Sequence, residues 1–323
     1  MAASDAAPFK LPGGVYTAIV TPLTEDAKAV DFEALDALVE AQISGGVTGV
    51  VPEKKQVIKA VLDKVAGRCL VVAGTGSNNT AETLDMTAWA KETGVDACLL
   101  VNPYYNKPSQ SGIIAHATAV ADLGLPVLLY NIPGRSGVKM TPQTIATLAE
   151  HPSIVGVKEA CGSVAQVSDV AEAVHASRPD FAILSGDDLL TLPMQTVGAI
   201  GVVSVLSNIL PAPLVAMVKA ANEGDFATAK DLHFKLAPLF KACFLDSNPV
   251  PAKACVPTAN IAHGASCHAR TPCRAPLHRV MKAAGQIPFD AVRMPLVPMQ
   301  SATSASVMQA FKTHGKALGL TIA

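Results

Sequence analysis

From about Gly14 to Val203 the chain alternates short, solidly apolar runs with longer stretches in which apolar residues recur every three or four positions. Short apolar runs bounded by turn signals suit strands buried on both faces, and the 3.6-residue period suits helices packed against them. The runs predict strands at 17–22, 47–51, 69–74, 96–101, 126–130, 154–157, 181–184 and 199–203. Between them, Asp31 is placed to cap a helix whose face is Leu35, Leu38, Val39 and Ile43, ended by Gly45-Gly46. Residues 53–65 carry Val57, Val61, Leu62 and Val65 on one face. Asn79 and Glu82 stand like a capping box before a helix at 80–93. Residues 113–123 are helical in period, and Thr141-Pro142 opens a further helix with Thr as cap and Pro in the first turn.

Strands alternating with helices signal βαβ units and a parallel sheet. Eight regular units predict an α/β fold closed as a (β/α)8 TIM barrel, placed over residues 1–224. An open doubly wound sheet is the alternative, which eight regular units disfavour. Past Pro211 the strand pattern stops. Stretches 210–221, 226–243 and 304–318 read as helices, so residues 225–323 are expected to form a C-terminal helical region.

Composition removes several functional classes. Charged residues make up 16% and the formal net charge is -1, so no basic excess exists to hold nucleic acid. No apolar run approaches the ~18 residues of a membrane span. Residues 1–12 lack both the apolar core of a signal peptide and the arginines of a transit peptide, and a cytoplasmic location is expected. The cysteine count is odd, at 7, and no CxxC pair occurs, which argues against a disulfide framework. Cys69 and Cys98 sit in apolar runs and read as small buried hydrophobes.

Barrel enzymes carry their reacting groups at the C-terminal ends of the strands. There the sequence places Thr21-Pro22, then Gly74-Thr75-Gly76, then Asn102-Pro103-Tyr104-Tyr105-Asn106. These are followed by Tyr130-Asn131-Ile132-Pro133-Gly134-Arg135, then Lys158-Glu159, then Gly186-Asp187-Asp188. Lys158 is the most informative, because it follows a run that should be buried on both faces. Burial favours the neutral amine, which can attack a carbonyl. The plainer reading is an ion pair with Glu159 at the barrel rim. Its neighbours tilt the reading toward chemistry: Tyr130 is placed to relay protons, and Arg135 offers a planar fork that suits a carboxylate. Of the 4 tyrosines, Tyr104, Tyr105 and Tyr130 all lie at strand ends, where packing is their alternative role. Gly74-Thr75-Gly76 lacks the third glycine and acidic partner of a dinucleotide site, and no phosphate loop occurs. His116, His151, His175, His233 and His314 are scattered and read as surface or satisfied side chains.

The strings "AGTG", "VNPYYNKPSQ", "YNIPGRSG", "GVKEACG" and "SGDD", in this order, resemble the dihydrodipicolinate synthase family. The likeness runs from Gly14 to about Met299. It implies that Lys158 forms an imine with pyruvate, that Tyr130 is the relay tyrosine, and that Tyr105 completes the relay in a neighbouring subunit. It implies that Arg135 holds the carboxylate of L-aspartate 4-semialdehyde, with the Gly186 and Val203 backbone near the substrate. The product would be 4-hydroxy-tetrahydrodipicolinate, in lysine biosynthesis, made without metal or organic cofactor. Asn78, Glu82 and Tyr104 match a lysine-feedback site, and a homotetramer built as a dimer of dimers is implied.

Two departures interrupt the likeness. Where the family continues from "GVTGVVP" into a "GTTGE" loop, Pro52 runs directly into Glu53-Lys54-Lys55-Gln56. The loop and the first helical turn are missing, so the strand-to-helix connection must be strained or one element must shorten. The loop's two threonines, one linking the tyrosines and one holding pyruvate in the family, have no counterpart; Thr48 and Thr75 are merely the nearest by strand layout. The second departure is an insertion at 256–280 that holds His263, His268, His278, Cys267 and Cys273 and no acid. Its spacing fits no standard zinc finger and it is rich in proline, so a loop is expected there rather than a metal site. Each departure is flanked by undisturbed sequence, as a skipped and a retained coding segment would leave, which sequencing the transcript tests. Impaired synthase activity is therefore the leading expectation. The alternatives are another pyruvate aldolase, such as an N-acetylneuraminate lyase or a keto-sugar-acid aldolase, and an inactive paralogue with a binding or assembly role.

Overall fold

The computed structural model describes residues 9–253 and 291–320. Eight parallel strands close into a barrel in chain order: β1 (Gly14–Thr17), β2 (Gly49–Val50), β3 (Leu70–Gly74), β4 (Ala97–Val101), β5 (Val127–Asn131), β6 (Ile154–Glu159), β7 (Ala182–Ser185) and β8 (Gly201–Ser204). The expected (β/α)8 barrel is the observed fold, and the open sheet is excluded by the β1–β8 ladder, Gly14↔Gly201 to Thr17↔Ser204.

The helices of the wall are α1 (Phe32–Ser44), α2 (Lys55–Val65), α3 (Thr80–Thr93), α4 (Gln110–Ala121), α5 (Pro133–Ser136), α6 (Pro142–Ala149), α7 (Val164–His175) and α8 (Thr191–Gln195). They are followed by α9 (Pro211–Asn222), α10 (Phe226–Ala242), the short α11 (Val250–Lys253) and α12 (Ser301–Gly315). Asp31 caps α1 by accepting the Ala34 N–H at 3.0 Å, a contact worth about 1 kcal/mol. Thr141 caps α6, with Pro142 in its first turn. Asn79 caps α3, but the Glu82 carboxylate accepts from the Ser77 hydroxyl at 2.8 Å instead of closing a capping box.

Two apolar layers follow from strand alternation. Tyr16, Val51, Val72, Leu99, Leu128, Val155, Leu184 and Val203 fill the barrel. Val15, Val50, Val71, Cys98, Leu129, Val157, Ile183 and Val202 face outward into the helices. The first strand lies earlier than expected, at Gly14–Thr17 instead of 17–22. Beyond Ile19 the backbone leaves the ladder: the Val20 N–H turns to the Asn208 side chain at 3.0 Å, and Pro22 has no N–H to give. The remaining strands fall within a few residues of their expected places. Cys69, Cys98, Cys161 and Cys243 are free thiols. No helix among the described residues is long and apolar enough to cross a membrane. The insertion at 256–280, with its histidines and cysteines, lies outside the described residues.

Candidate active site

The mouth of the barrel is built on a register row. Val101 pairs with Tyr130, Tyr130 with Lys158, and Lys158 with Leu184. The phase of that row depends on a bulge. Val127 pairs with Ile154 but Leu128 pairs with Gly156, so β6 carries one extra residue. Val155 consequently faces the barrel interior and Val157 the helices, which turns Lys158 inward beside Tyr130. Bulges commonly re-aim a side chain next to a functional site in this way.

Lys158 is 6% exposed. Its Nζ lies 3.9 Å from the centroid of the Tyr130 ring, and it makes no ion pair with a described residue. The plainer reading, a pair with Glu159, is overturned. Glu159 points to the other face of β6, where Asn131 Nδ2 donates to its two oxygens at 3.1 and 3.0 Å and the Cys161 N–H donates at 3.1 Å. Burial still pushes the Glu159 carboxyl above its usual range, against those hydrogen bonds. Asn131 also accepts the Met140 N–H at 3.0 Å, so this buried network fixes the loop after β5 to the end of β6. A sequence reading passed over it; the polar Asn131 and Glu159 ending two apolar strands were the available signal.

Gly186 lies against the lysine stem. A Cβ there would fall 3.1 Å from Lys158 Cε and 2.6 Å from Ala160 Cβ, so only glycine leaves the lysine room. Val203 is buried in the interior layer. Arg135 is exposed on α5, its Nη2 3.4 Å from the Asn248 carbonyl oxygen. Tyr105 is 88% exposed, with its backbone at φ 72°. Tyr130, Tyr104, Glu82, Thr75 and Glu53 line one cavity of ≈ 420 Å³. Asn78 is tied to this region through its carbonyl, which accepts from Asn106 Nδ2 at 2.9 Å.

The β2 side is altered as its shortened connection requires. The strand is two residues long. Lys54 takes up the sharp turn at φ 69°, ψ 131°, a region that L side chains avoid, and contributes no side-chain cap to α2. Glu53 bridges Gly74, and its side chain lies over that residue, Cγ 2.7 Å from where a Cβ would stand. Neither nearby threonine replaces the missing pair. Thr75 Oγ1 is held by the Thr87 hydroxyl at 2.9 Å. Thr48 precedes β2 and packs on Gly14, at the opposite end of the barrel.

A second cavity of ≈ 440 Å³ opens at that opposite end, lined by Lys10, Arg178 and Phe181. Its arginine is already committed to Asp180 and to backbone carbonyls, so the chemistry stays at the Lys158 end. Among the described residues no cluster of side chains suits a metal ion.

A model of the dihydrodipicolinate synthetase family matches residues 11–284. The chain belongs to that family. A 4-hydroxy-tetrahydrodipicolinate synthase from Methanospirillum hungatei is 47% identical over 254 residues, covering 74% of this chain and 87% of the relative. The solved 4-hydroxy-tetrahydrodipicolinate synthase of Methylacidiphilum fumariolicum superposes with a TM-score of 0.82 at 37% identity, over 95% of this chain and 97% of that one. A lysine-bound dihydrodipicolinate synthase from Cyanidioschyzon merolae gives 0.79 at 33% identity, over 96% and 99%. The family barrel thus surrounds the Lys158–Tyr130 pair, while the connection after β2 keeps the local irregularity described above.

Proposed function

We propose that this chain is a Schiff-base lyase that condenses pyruvate with L-aspartate 4-semialdehyde to give 4-hydroxy-tetrahydrodipicolinate. The observation that carries the reading is the Lys158 amine: buried, without an ion-pair partner among described residues, and held over Tyr130. Such an amine adds to the C2 carbonyl of pyruvate and expels water, leaving an imine. The protonated imine draws electrons from C3, which loses a proton to give an enamine. The enamine carbon then attacks the aldehyde, whose oxygen takes up a proton, and the aldehyde substrate's own amino group adds at C2 and displaces the Lys158 nitrogen, which closes the ring and frees the amine. This route asks for no metal or organic cofactor.

In this reading Tyr130 moves protons at the imine and Tyr105, exposed on one chain, completes the relay in a neighbour of a dimer-of-dimers tetramer. Arg135 holds the aldehyde substrate's carboxylate, and Gly186 and Val203 shape the slot. Asn78, Glu82 and Tyr104 are the positions at which lysine would act; the Cyanidioschyzon merolae relative was solved with lysine bound. A cytoplasmic location goes with the same reading.

The β2 connection supports a second clause: turnover is impaired. Thr75, which lines the same cavity, accepts from Thr87, and among the described residues none hydrogen-bonds the Tyr130 phenol, which so lacks the partner a weak acid needs to pass protons. Incubation with pyruvate, borohydride reduction and peptide mapping is the first test, expected to place one reduced pyruvate on Lys158. Product formation with aspartate semialdehyde is expected to be slow. An adduct without any turnover favours the inactive-paralogue reading, and cleavage of sugar acids in place of condensation favours another pyruvate aldolase.

A further inference from the structure

The described β7–β8 ladder ends at Ser185↔Val202. Gly186 and Val203 lie one residue past it, on either side of the seam. Each keeps a neighbour on its far side: the Gly186 N–H donates to the Glu159 carbonyl at 2.8 Å, and Val203 pairs with Tyr16 of β1. Across the seam itself no strand pairing sets their separation. That is where the Lys158 stem passes, against Gly186.

Asp188 crosses this gap. The residue is 2% exposed, and its Oδ2 accepts the N–H groups of Val205 and Leu206, each at 3.0 Å. Its Oδ1 has no hydrogen-bond partner among the described residues. Both anchors are stiff. On the β7 side the Ser185 hydroxyl donates to the Asp187 carbonyl at 2.8 Å, and Asp187 Oδ1 accepts the Leu189 N–H at 2.9 Å. On the β8 side Ser204 Oγ accepts the Ser207 N–H at 3.0 Å. Burial pushes the Asp188 carboxyl above the usual carboxylate range, opposed by the two backbone donors. A buried carboxyl with one oxygen unpartnered costs stability, and an apolar side chain would avoid that cost. What an apolar side chain cannot do is hold the two loops together at this point.

We propose that Asp188 is a positioning residue: it ties the loop after β7 to the turn after β8, and so fixes the width of the slot between Gly186 and Val203 in which a ligand carried by Lys158 must lie. This rests on the reading of Lys158 as the pyruvate-bonding amine. The residue touches no substrate; it acts through the two backbones it joins.

The test measures borohydride trapping on Lys158 against pyruvate concentration for the parent chain and for Asp188→Ala, Asp188→Ser and Asp188→Asn. The alanine removes both acceptor bonds, and the serine oxygen is too short to reach both donors. For these two, half-saturation is expected to need about tenfold more pyruvate, the size of effect that losing such bonds produces. The limiting rate of trapping should stay within about twofold, because the amine itself is untouched. The asparagine oxygen still accepts both N–H groups, so Asp188→Asn should saturate like the parent. If Asp188→Ala does not fold, Asp188→Ser carries the measurement. Parent-like saturation in the alanine or serine variant overturns the proposal. So does an asparagine variant as weak as the alanine, which would make the charge and not the tie responsible. A parent chain that forms no adduct fails differently: it removes the pyruvate reading and this role with it.

Discussion

The two sides of the barrel mouth are unequal. Across β5, β6 and β7 the strands are four to six residues long, their register row is intact, and Tyr130, Lys158 and Leu184 stand side by side. Across β2 the strand has two residues, Lys54 bends the chain at positive φ, and Glu53 lies over Gly74. The difference separates two kinds of functional group. The amine comes from a strand interior, and its burial and aim are set by packing and by the bulge in β6. The threonine hydroxyls that the proposed relay lacks would come from a loop, and a loop can be lost without unmaking the barrel. In the proposed reading, capture of pyruvate and turnover are therefore separable, and the first is expected to outlast the second.

Replacing Lys158 breaks the intact side altogether. Lys158→Ala is expected to form no adduct and to lower any turnover by about 10⁴-fold or more; an adduct persisting elsewhere on the chain, found by peptide mapping, would move the chemistry off β6. Tyr130→Phe keeps the ring on which the amine lies and removes only the hydroxyl. Turnover should fall about 10²-fold or more, measured by product formation, while trapping changes by less than about tenfold.

The β2 side can be mended instead of broken. Inserting a Gly-Thr-Thr-Gly-Glu loop and one helical turn between Pro52 and Glu53 should raise turnover by about 10²-fold, with much less effect on adduct formation. Equal gains in both would show that the damaged connection also limits capture. Relieving strain alone is a smaller change. Glycine tolerates the Lys54 backbone, so Lys54→Gly should add about 1 kcal/mol of stability and about 2 °C to the melting temperature, with no change in activity.

Smallest is a pH effect remote from both sides. His116 Nδ1 lies 2.9 Å from the Thr80 hydroxyl, linking α4 to α3, and burial lowers its pKa below the usual 6.5. A depressed folded pKa contributes stability that is present above about 6.5 and lost as pH falls through the folded value. The melting temperature of the parent should drop more between pH 7 and pH 5 than that of His116→Gln; parallel curves would remove His116 from the account.

Much of this was legible in the chain because a parallel barrel writes each strand as an apolar run. Lys158, Tyr130 and Gly186 could be placed at strand ends for that reason. The inward aim of Lys158 could not, since it depends on an extra residue in β6 that appears only when β5 is paired against it. The start of β1 was misplaced because Ile19 and Val20 continue the apolar run after the ladder has ended. A connection too short for its task implies a strained turn or a shortened element, and both occur, at Lys54 and in the two-residue β2. The position of Glu53 over Gly74, and the reach of Asp188 to Val205 and Leu206, join segments far apart in sequence or past the end of a ladder, where periodicity carries no signal.

The separation of capture from turnover is tested most directly in one preparation of the parent chain. Pyruvate and borohydride are added to one portion, and pyruvate with aspartate semialdehyde to another. The account predicts stoichiometric reduced pyruvate on Lys158 in the first and product formation about 10²-fold or more below that of the loop-restored chain in the second. No adduct on Lys158, or turnover as fast as in the restored chain, would contradict it.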